Sequence, residues 1–114
     1  MAAVRKIKAT KDTTVEFTST VLPEEEFVPR EKQRKTSRLM TLFEFTALVT
    51  ARATQLLSTH SPSPEIDVVA YKYNVIEIAK AELIAKRVKL VVRRELPNGE
   101  VDDYMAWEMD LPKL

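Results

Sequence analysis

The sequence lacks cysteine, and its 114 residues include only one glycine and one histidine. Without cysteine, a disulfide, a thiolate metal site and a cysteine nucleophile are all excluded. A single glycine, Gly99, cannot build a glycine-rich phosphate loop, and a single histidine, His60, cannot build a histidine-rich zinc site. We therefore predict a chain that is not an enzyme on its own, with no catalytic residues, no metal and no cofactor.

Charge of one sign and long apolar runs are also missing. The 18 basic residues nearly balance the 17 acidic residues, which argues against binding nucleic acid by bulk charge alone. No apolar run approaches the roughly 20 residues of a membrane span, and the first residues, "MAAVRKIKATKD", lack the apolar core of a signal peptide. We expect no membrane interaction.

The first 35 residues mix charged residues, threonine and proline with scattered apolar residues, without a sustained helical or strand period. We predict a flexible N-terminal tail over residues 1–35 and a folded domain over residues 36–114. A second interpretation is that short extended pieces of this tail dock on a partner. These pieces would contain Val15, Phe17, Val21, Leu22, Phe27 and Val28.

The first predicted helix begins after Thr41, because Thr41 and Glu44 match the capping-box pattern of helix starts. It runs to about Ser58. An inner apolar stripe contains Leu42, Phe45, Val49, Ala53 and Leu56. Phe43 and Leu48 lie off this stripe, so the helix is apolar on nearly every side. A domain this small has little interior to cover such a helix, which favours a larger partner.

The second predicted helix has Asn74 as its cap and Glu77 at the third position, and it runs to about Arg87. Its inner stripe contains Ile76, Ala79 and Leu83. The connection before it includes the candidate phosphorylation pairs Ser61-Pro62 and Ser63-Pro64, although a plain connector is the favoured interpretation.

After the second helix the apolar period changes to two, and Asn98-Gly99 predicts a β-hairpin with a type I′ turn. That turn would place Arg94 opposite Asp103 and Val92 opposite Met105. The predicted fold class is therefore α+β: two main helices followed by a C-terminal hairpin.

Two blocks of this sequence resemble the small common subunit of multisubunit DNA-dependent RNA polymerases, which is subunit six in eukaryotes and archaea and omega in bacteria. The first block is "RLMTLFEFTALVTARATQL", with Met40-Thr41, Glu44 and the signature Arg52-Ala53-x-Gln55. The second is "IAKAELIAKRVKLVVRRELPNGEVDDYMAWEM", with Glu82-Leu83, Arg93-Arg94, Leu96-Pro97, Gly99 and Glu108. Lys89, Val75 and Tyr104 depart from the family pattern.

The resemblance implies an omega-like domain that binds the largest polymerase subunit, promotes assembly and stability of the transcribing enzyme, and performs no chemistry. It also implies a location in the nucleus for a cellular member, or in the virion or a cytoplasmic viral factory for a viral one. DNA would be contacted only through the complex, and no homo-oligomer is expected. The residues that we predict at the partner interface are Phe43, Leu48, Arg52, Gln55, Arg93 and Arg94.

Two alternatives remain open at this point. Arg52 and Gln55 could instead brace the domain's own loop. The basic segment that contains Arg30, Lys32, Arg34, Lys35 and Arg38 could serve a small independent nucleic-acid-binding module. A solvated linker is the favoured interpretation of that segment.

Overall fold

The computed structural model describes residues 5–8, 16–29, 34–58, 62–64 and 66–112. Within these ranges the chain forms a four-stranded antiparallel sheet and two α-helices. The strands are β1 (Arg5–Lys8), β2 (Glu16–Pro23), β3 (Leu90–Glu95) and β4 (Val101–Met105), and they lie side by side in chain order. The helices are α1 (Leu42–Leu57) and α2 (Val75–Ile84), and α1 packs against both α2 and β2. The predicted α+β class, with two helices followed by a hairpin, is confirmed.

Strand β2 lies in the segment that we assigned to the tail. It pairs with β3 from Thr18 opposite Glu95 to Pro23 opposite Leu90, and Phe17 and Val21 are buried. The assignment of residues 5–8 and 16–23 to the tail is therefore corrected, since both stretches pair within the chain's own sheet. The period of two was hidden because its middle inward position is a serine, Ser19, which is also buried.

Helix α1 begins as predicted. The Thr41 hydroxyl accepts the N–H of Glu44, and the Glu44 carboxylate accepts the N–H of Thr41. The predicted inner stripe is correct for Phe45, Val49 and Ala53, which are buried. It is wrong for Leu42, which is 60% exposed because it lies in the first turn on the same side of the helix as the exposed Thr46 and Thr50.

Helix α2 is also capped as predicted, because the Asn74 side chain accepts the N–H groups of Ile76 and Glu77. It ends at Ile84 rather than near Arg87, since Lys86 has a φ of 62° and leaves the helical region. Its buried face contains Ile78, whereas Ile76 of the predicted stripe is exposed.

The hairpin register differs from the predicted one by one residue. Arg93 lies opposite Asp103, Arg94 opposite Asp102, and Val92 opposite Tyr104. The Gly99 N–H donates to the Leu96 carbonyl, the Leu96 N–H donates to the Glu100 carbonyl, and only Gly99 in this turn has positive φ, at 90°. The connection is therefore a three-residue loop of residues 97–99 that ends in a glycine bulge, and not the predicted type I′ turn.

Within the part of the chain that is described, neither helix has both the length and the apolar character needed to cross a membrane.

We predict that Gly99→Ala lowers the free energy of unfolding by about 1 kcal/mol, because positive φ strains a residue with a Cβ. No neighbouring atom lies within 4 Å of a Cβ built there, so the cost is one of backbone conformation rather than of packing. Gly99→Asn is the matched control, since asparagine tolerates this conformation better and is expected to cost less. Urea unfolding measures both variants, and an unchanged midpoint for Gly99→Ala would contradict the assigned turn.

Candidate interaction site

The interior contains an ion pair between Arg94 on β3 and Glu44 on α1. The Arg94 Nε donates to Glu44 Oε2 at 2.9 Å, and its Nη2 donates to Oε1 at 2.8 Å. Both side chains are at most 1% exposed. The Ser19 hydroxyl of β2 also donates to Glu44 Oε2. This two-point geometry, with every oxygen further bonded, is the arrangement that a buried ion pair needs to offset its loss of hydration.

The same guanidinium binds the segment that leads into α1. Its Nη1 donates to Thr36 Oγ1 at 3.0 Å and to the Ser37 carbonyl, and its Nη2 donates to the Leu39 carbonyl at 2.9 Å. The guanidinium carbon lies 4.7 Å from the ring centre of Phe17, within the range of a cation–π contact. Arg94 thus connects three parts of the chain that are distant in sequence.

Strand β4 holds the same segment from a second side. Asp102 Oδ2 accepts the N–H of Lys35, the N–H of Thr36 and the Thr36 hydroxyl, each at 2.9 Å. The Tyr104 hydroxyl donates to the Thr36 carbonyl at 2.6 Å. Both the backbone and the side chain of Thr36 are therefore satisfied inside the protein.

A second ion pair lies on the opposite face of the sheet. The Arg93 Nε and Nη2 donate to the two oxygens of Asp103 at 2.9 Å each, and Asp103 also accepts the N–H of Val28 at 2.9 Å. The Arg93 Nη2 donates further to the Glu26 carbonyl at 2.8 Å. These contacts fasten the stretch after β2 to the hairpin.

A third ion pair joins the two helices. Arg52 on α1 donates from Nε and Nη2 to the carboxylate of Glu82 on α2, whose side chain is fully buried. Arg52 Nη1 donates to Gln55 Oε1 at 3.2 Å, and Glu82 Oε2 accepts the N–H of Ser63 at 2.7 Å. Arg52 and Gln55 therefore brace the helix pair and its loop, in agreement with the alternative that was left open.

These environments shift the pKa values of three groups. Burial acts to raise the pKa of Glu44, but the hydrogen bonds and charge of Arg94, with the bonds from Ser19 and Thr41, outweigh it and hold the pKa below its usual value. The bonds to Asp103 raise the pKa of the Arg93 guanidinium, and burial raises the pKa of the Tyr104 hydroxyl.

The structure corrects part of the predicted partner interface. Leu48 has no exposed surface and Arg94 has 1%, so both belong to this chain's own interior. Phe43 and Gln55 are partly exposed on α1. Arg93 is 26% exposed, and it lies on the face of the sheet that is turned away from Arg94. The six predicted residues therefore do not form one surface.

A surface that the sequence analysis missed lies on the outer face of α1. Its residues are exposed and recur every three or four positions: Leu42, Thr46, Thr50, Thr54 and Leu57. The hydroxyl of each threonine donates to the carbonyl four residues earlier, at 2.9 to 3.0 Å. We call this set the threonine face. The signal was present in the sequence as threonine at every fourth position.

The threonine face carries no charge. Helix α1 contains two charged residues, Glu44 and Arg52, and both point inward to the ion pairs described above. Because the threonine hydroxyls already have backbone partners, the surface offers mainly methyl groups. The helix is apolar on nearly every side because most of its surface is buried within this chain, and its exposed side is the uncharged threonine face.

The basic side chains in the described part of the basic segment each contact an acidic side chain of the same chain. Arg34 donates to Glu108 at 2.6 Å, and Lys35 donates to Glu100. Arg38 forms a longer contact of 3.4 Å with Asp110. Arg30 and Lys32 lie outside the described residues. The pairing of these cations does not favour a separate nucleic-acid-binding module.

Among the residues that the structure describes, no group of three or more histidine, aspartate or glutamate side chains is arranged to hold a metal ion. The fold and the ion pairs define the class of protein. It is a small α+β domain in which buried ion pairs connect the helices and strands, and the exposed face of α1 carries no charge.

Comparison with known proteins identifies relatives of this domain. The chain is 35% identical over 78 residues to a protein of Dictyostelium discoideum named DNA-directed RNA polymerases I, II, and III subunit rpabc2, and this match covers 68% of the chain. It is 31% identical over 85 residues to the subunit of the same name in Saccharomyces cerevisiae, over 75% of the chain. No family model matches the sequence.

The two matches confirm the resemblance: over the matched region the chain is a homologue of the small common subunit of RNA polymerases, subunit six. The matched region spans about half the length of these relatives, 56% and 52%.

We predict that Glu44 contributes to the loss of the free energy of unfolding as the pH is lowered. Its pKa is lowered in the folded chain, so its stabilising contribution is full above the usual value of 4.5 and is lost as the pH falls through the folded-state pKa. Glu44→Gln should therefore be less stable near neutral pH and should lose less stability on acidification. The exposed Glu77→Gln is the control, and urea unfolding between pH 7 and pH 3 makes the comparison. Identical pH slopes for Glu44→Gln and the wild type would contradict the prediction.

We predict that Arg52→Ala destabilises the isolated chain by about 3–5 kcal/mol, because it leaves the buried Glu82 carboxylate without its cation. Gln55→Ala should cost about 1 kcal/mol or less, since it removes one partly exposed hydrogen bond. Replacing both members of the pair, as Arg52→Met with Glu82→Leu, should restore much of the loss. Urea unfolding of the three variants checks this, and an Arg52→Ala chain as stable as the wild type would show that the brace is unimportant.

Proposed function

We propose that this chain is a noncatalytic subunit of DNA-directed RNA polymerase, which binds the largest subunit and promotes assembly and stability of the transcribing enzyme. The observation that carries the proposal is the similarity to the common subunit of RNA polymerases I, II and III in two organisms. The architecture supports it, because the titratable groups in the interior serve as braces rather than as a reaction centre.

We assign the contact with the largest subunit to the threonine face of α1. A neutral face with internally bonded hydroxyls loses little hydration when a partner covers it, whereas a charged face would need a matched charge for every residue. Phe43 borders this face and stays part of the proposed contact. Gln55 and Arg93 lie away from it, on the side of α2 and on the far face of the sheet, so we leave them out.

In this proposal the chain contacts DNA only through the assembled polymerase. The pairing of Arg34, Lys35 and Arg38 with the chain's own carbonyl and carboxylate groups supports that view. A cellular member would act in the nucleus, and a viral member in the virion or a cytoplasmic factory. The chain would enter the complex as a single copy.

The test is affinity purification of the tagged chain from the cell that encodes it, followed by mass spectrometry. We expect the large polymerase subunits to copurify. Thr50→Lys places a charge at the middle of the threonine face and should reduce their recovery by about tenfold or more, because a lysine buried without a partner costs several kcal/mol. The matched control is Ala85→Lys, which adds the same charge at an exposed position after α2.

Circular dichroism of both variants must show an intact fold for the comparison to count. Absence of large polymerase subunits from the wild-type purification would contradict the proposed function. Full recovery with folded Thr50→Lys would leave the function standing and would overturn the assignment of the threonine face.

A further inference from the structure

The loop between β3 and β4 contains the only asparagine–glycine pair of the sequence, Asn98-Gly99, and both residues are exposed. The backbone nitrogen that follows an asparagine can attack the carbonyl carbon of the asparagine side chain and release its amide as ammonia. Glycine hinders this attack least because it has no Cβ. No atom lies within 4 Å of the position that a Cβ of Gly99 would take, so the surroundings do not crowd this side of the loop.

The sequence has one other asparagine, Asn74, which provides a comparison within the same molecule. It is followed by Val75, whose branched side chain stands beside the attacking nitrogen and restricts the backbone. The Asn74 side chain also accepts the N–H groups of Ile76 and Glu77 at the start of α2. The chemistry therefore selects Asn98 rather than Asn74 as the reactive asparagine.

The closed loop holds both of the groups that would have to react. The Gly99 N–H, which carries the attacking nitrogen, donates to the Leu96 carbonyl at 2.9 Å. The Asn98 Oδ1 accepts the N–H of Glu100 at 2.9 Å, and its Nδ2 donates to Glu100 Oε1 at 2.6 Å. An N–H only donates and a carboxylate only accepts, so these two contacts fix one orientation of the amide. Lys35 donates to the same carboxylate oxygen and helps to hold Glu100 over the loop.

We propose that Asn98 is a site of spontaneous deamidation and that the closed loop restrains the reaction, which proceeds from chains whose loop has opened. The Gly99 nitrogen forms a bond to Asn98 Cγ and gives up its proton, the bond from Cγ to Nδ2 breaks, and ammonia leaves with that proton. Water then opens the cyclic imide. Opening at Cγ leaves aspartate, and opening at the backbone carbonyl carbon leaves isoaspartate. The inference does not depend on the proposed polymerase function.

Either product weakens the hairpin. The reaction replaces an amide donor by a carboxylate that faces Glu100, so that an attraction becomes a repulsion between like charges. Isoaspartate also adds a carbon atom to the backbone of the loop that sets the register of β3 and β4. We expect the deamidated chain, separated by ion exchange, to unfold at a lower urea concentration than the unmodified chain, and an equal midpoint would contradict this consequence.

The first experiment incubates the folded full chain and a peptide of residues 94–103 at pH 7 and pH 9, and follows both asparagines by mass spectrometry of proteolytic fragments. We expect deamidation at Asn98 and none at Asn74 over the same period. The folded chain should react at least about fivefold more slowly than the peptide, which is the factor that one hydrogen bond supplies. Both should react faster at pH 9, because the attacking nitrogen has to lose a proton.

Two results of this experiment would overturn the proposal. One is an Asn98 that stays unmodified in the peptide at both pH values. The other is an Asn98 that reacts in the folded chain as fast as in the peptide, or faster, since the closed loop would then not restrain the reaction.

The second experiment tests the restraint with a matched pair of variants. Glu100→Ala removes the carboxylate that holds the Asn98 amide, whereas Glu95→Ala removes the same charge from an exposed position on β3. We expect Glu100→Ala to raise the rate in the folded chain by about twofold or more, and Glu95→Ala to leave it near that of the wild type. Urea below the unfolding midpoint should also raise the wild-type rate, because it favours the open loop. Equal rates in the two variants, with no effect of urea, would overturn the assigned restraint.

Discussion

The ion pair between Glu44 and Arg94 is the contact on which the rest of this fold depends. Glu44 begins α1 through its cap with Thr41, and it also receives Ser19 from β2 and Arg94 from β3. Removing two charges from water costs several kcal/mol per ion, so the pair is stable only because each of its polar atoms has a partner. Glu44 thus joins the start of α1 to β2 and β3, and its partner Arg94 holds the segment that leads into the helix.

The inward use of charge explains the outer surface. Both charged residues of α1 form ion pairs within the chain, and the threonine hydroxyls donate hydrogen bonds to the helix backbone. What remains outside is a strip of methyl and leucine groups on an otherwise charged protein. Charged residues make up 31% of this chain, so an exposed helix face without any charge stands out from the rest of its sequence. Such a face supports the presence of a partner there.

Local signals in the sequence were sufficient for the helix starts, since Thr41 and Asn74 act on groups within three residues of themselves. They were insufficient for β2, where the buried Ser19 interrupts the apolar alternation, and for Leu48, whose burial depends on the packing of the whole sheet. The partners of Arg94 lie 50 or more residues away. The apolar periodicity of one stretch of sequence cannot reveal such a pair, because a charged residue considered by itself is predicted to be exposed.

The hairpin register shows how these long-range pairs select one structure. Moving β4 by one residue relative to β3, as a two-residue turn would do, exchanges the two faces of the strand. Asp103 would then leave Arg93, and Asp102 would leave Thr36, so buried partners on both faces would lose their bonds together. The glycine bulge at Gly99 supplies the extra residue that avoids this outcome. The turn and the ion pairs therefore specify the same register independently, one through backbone conformation and the other through charge.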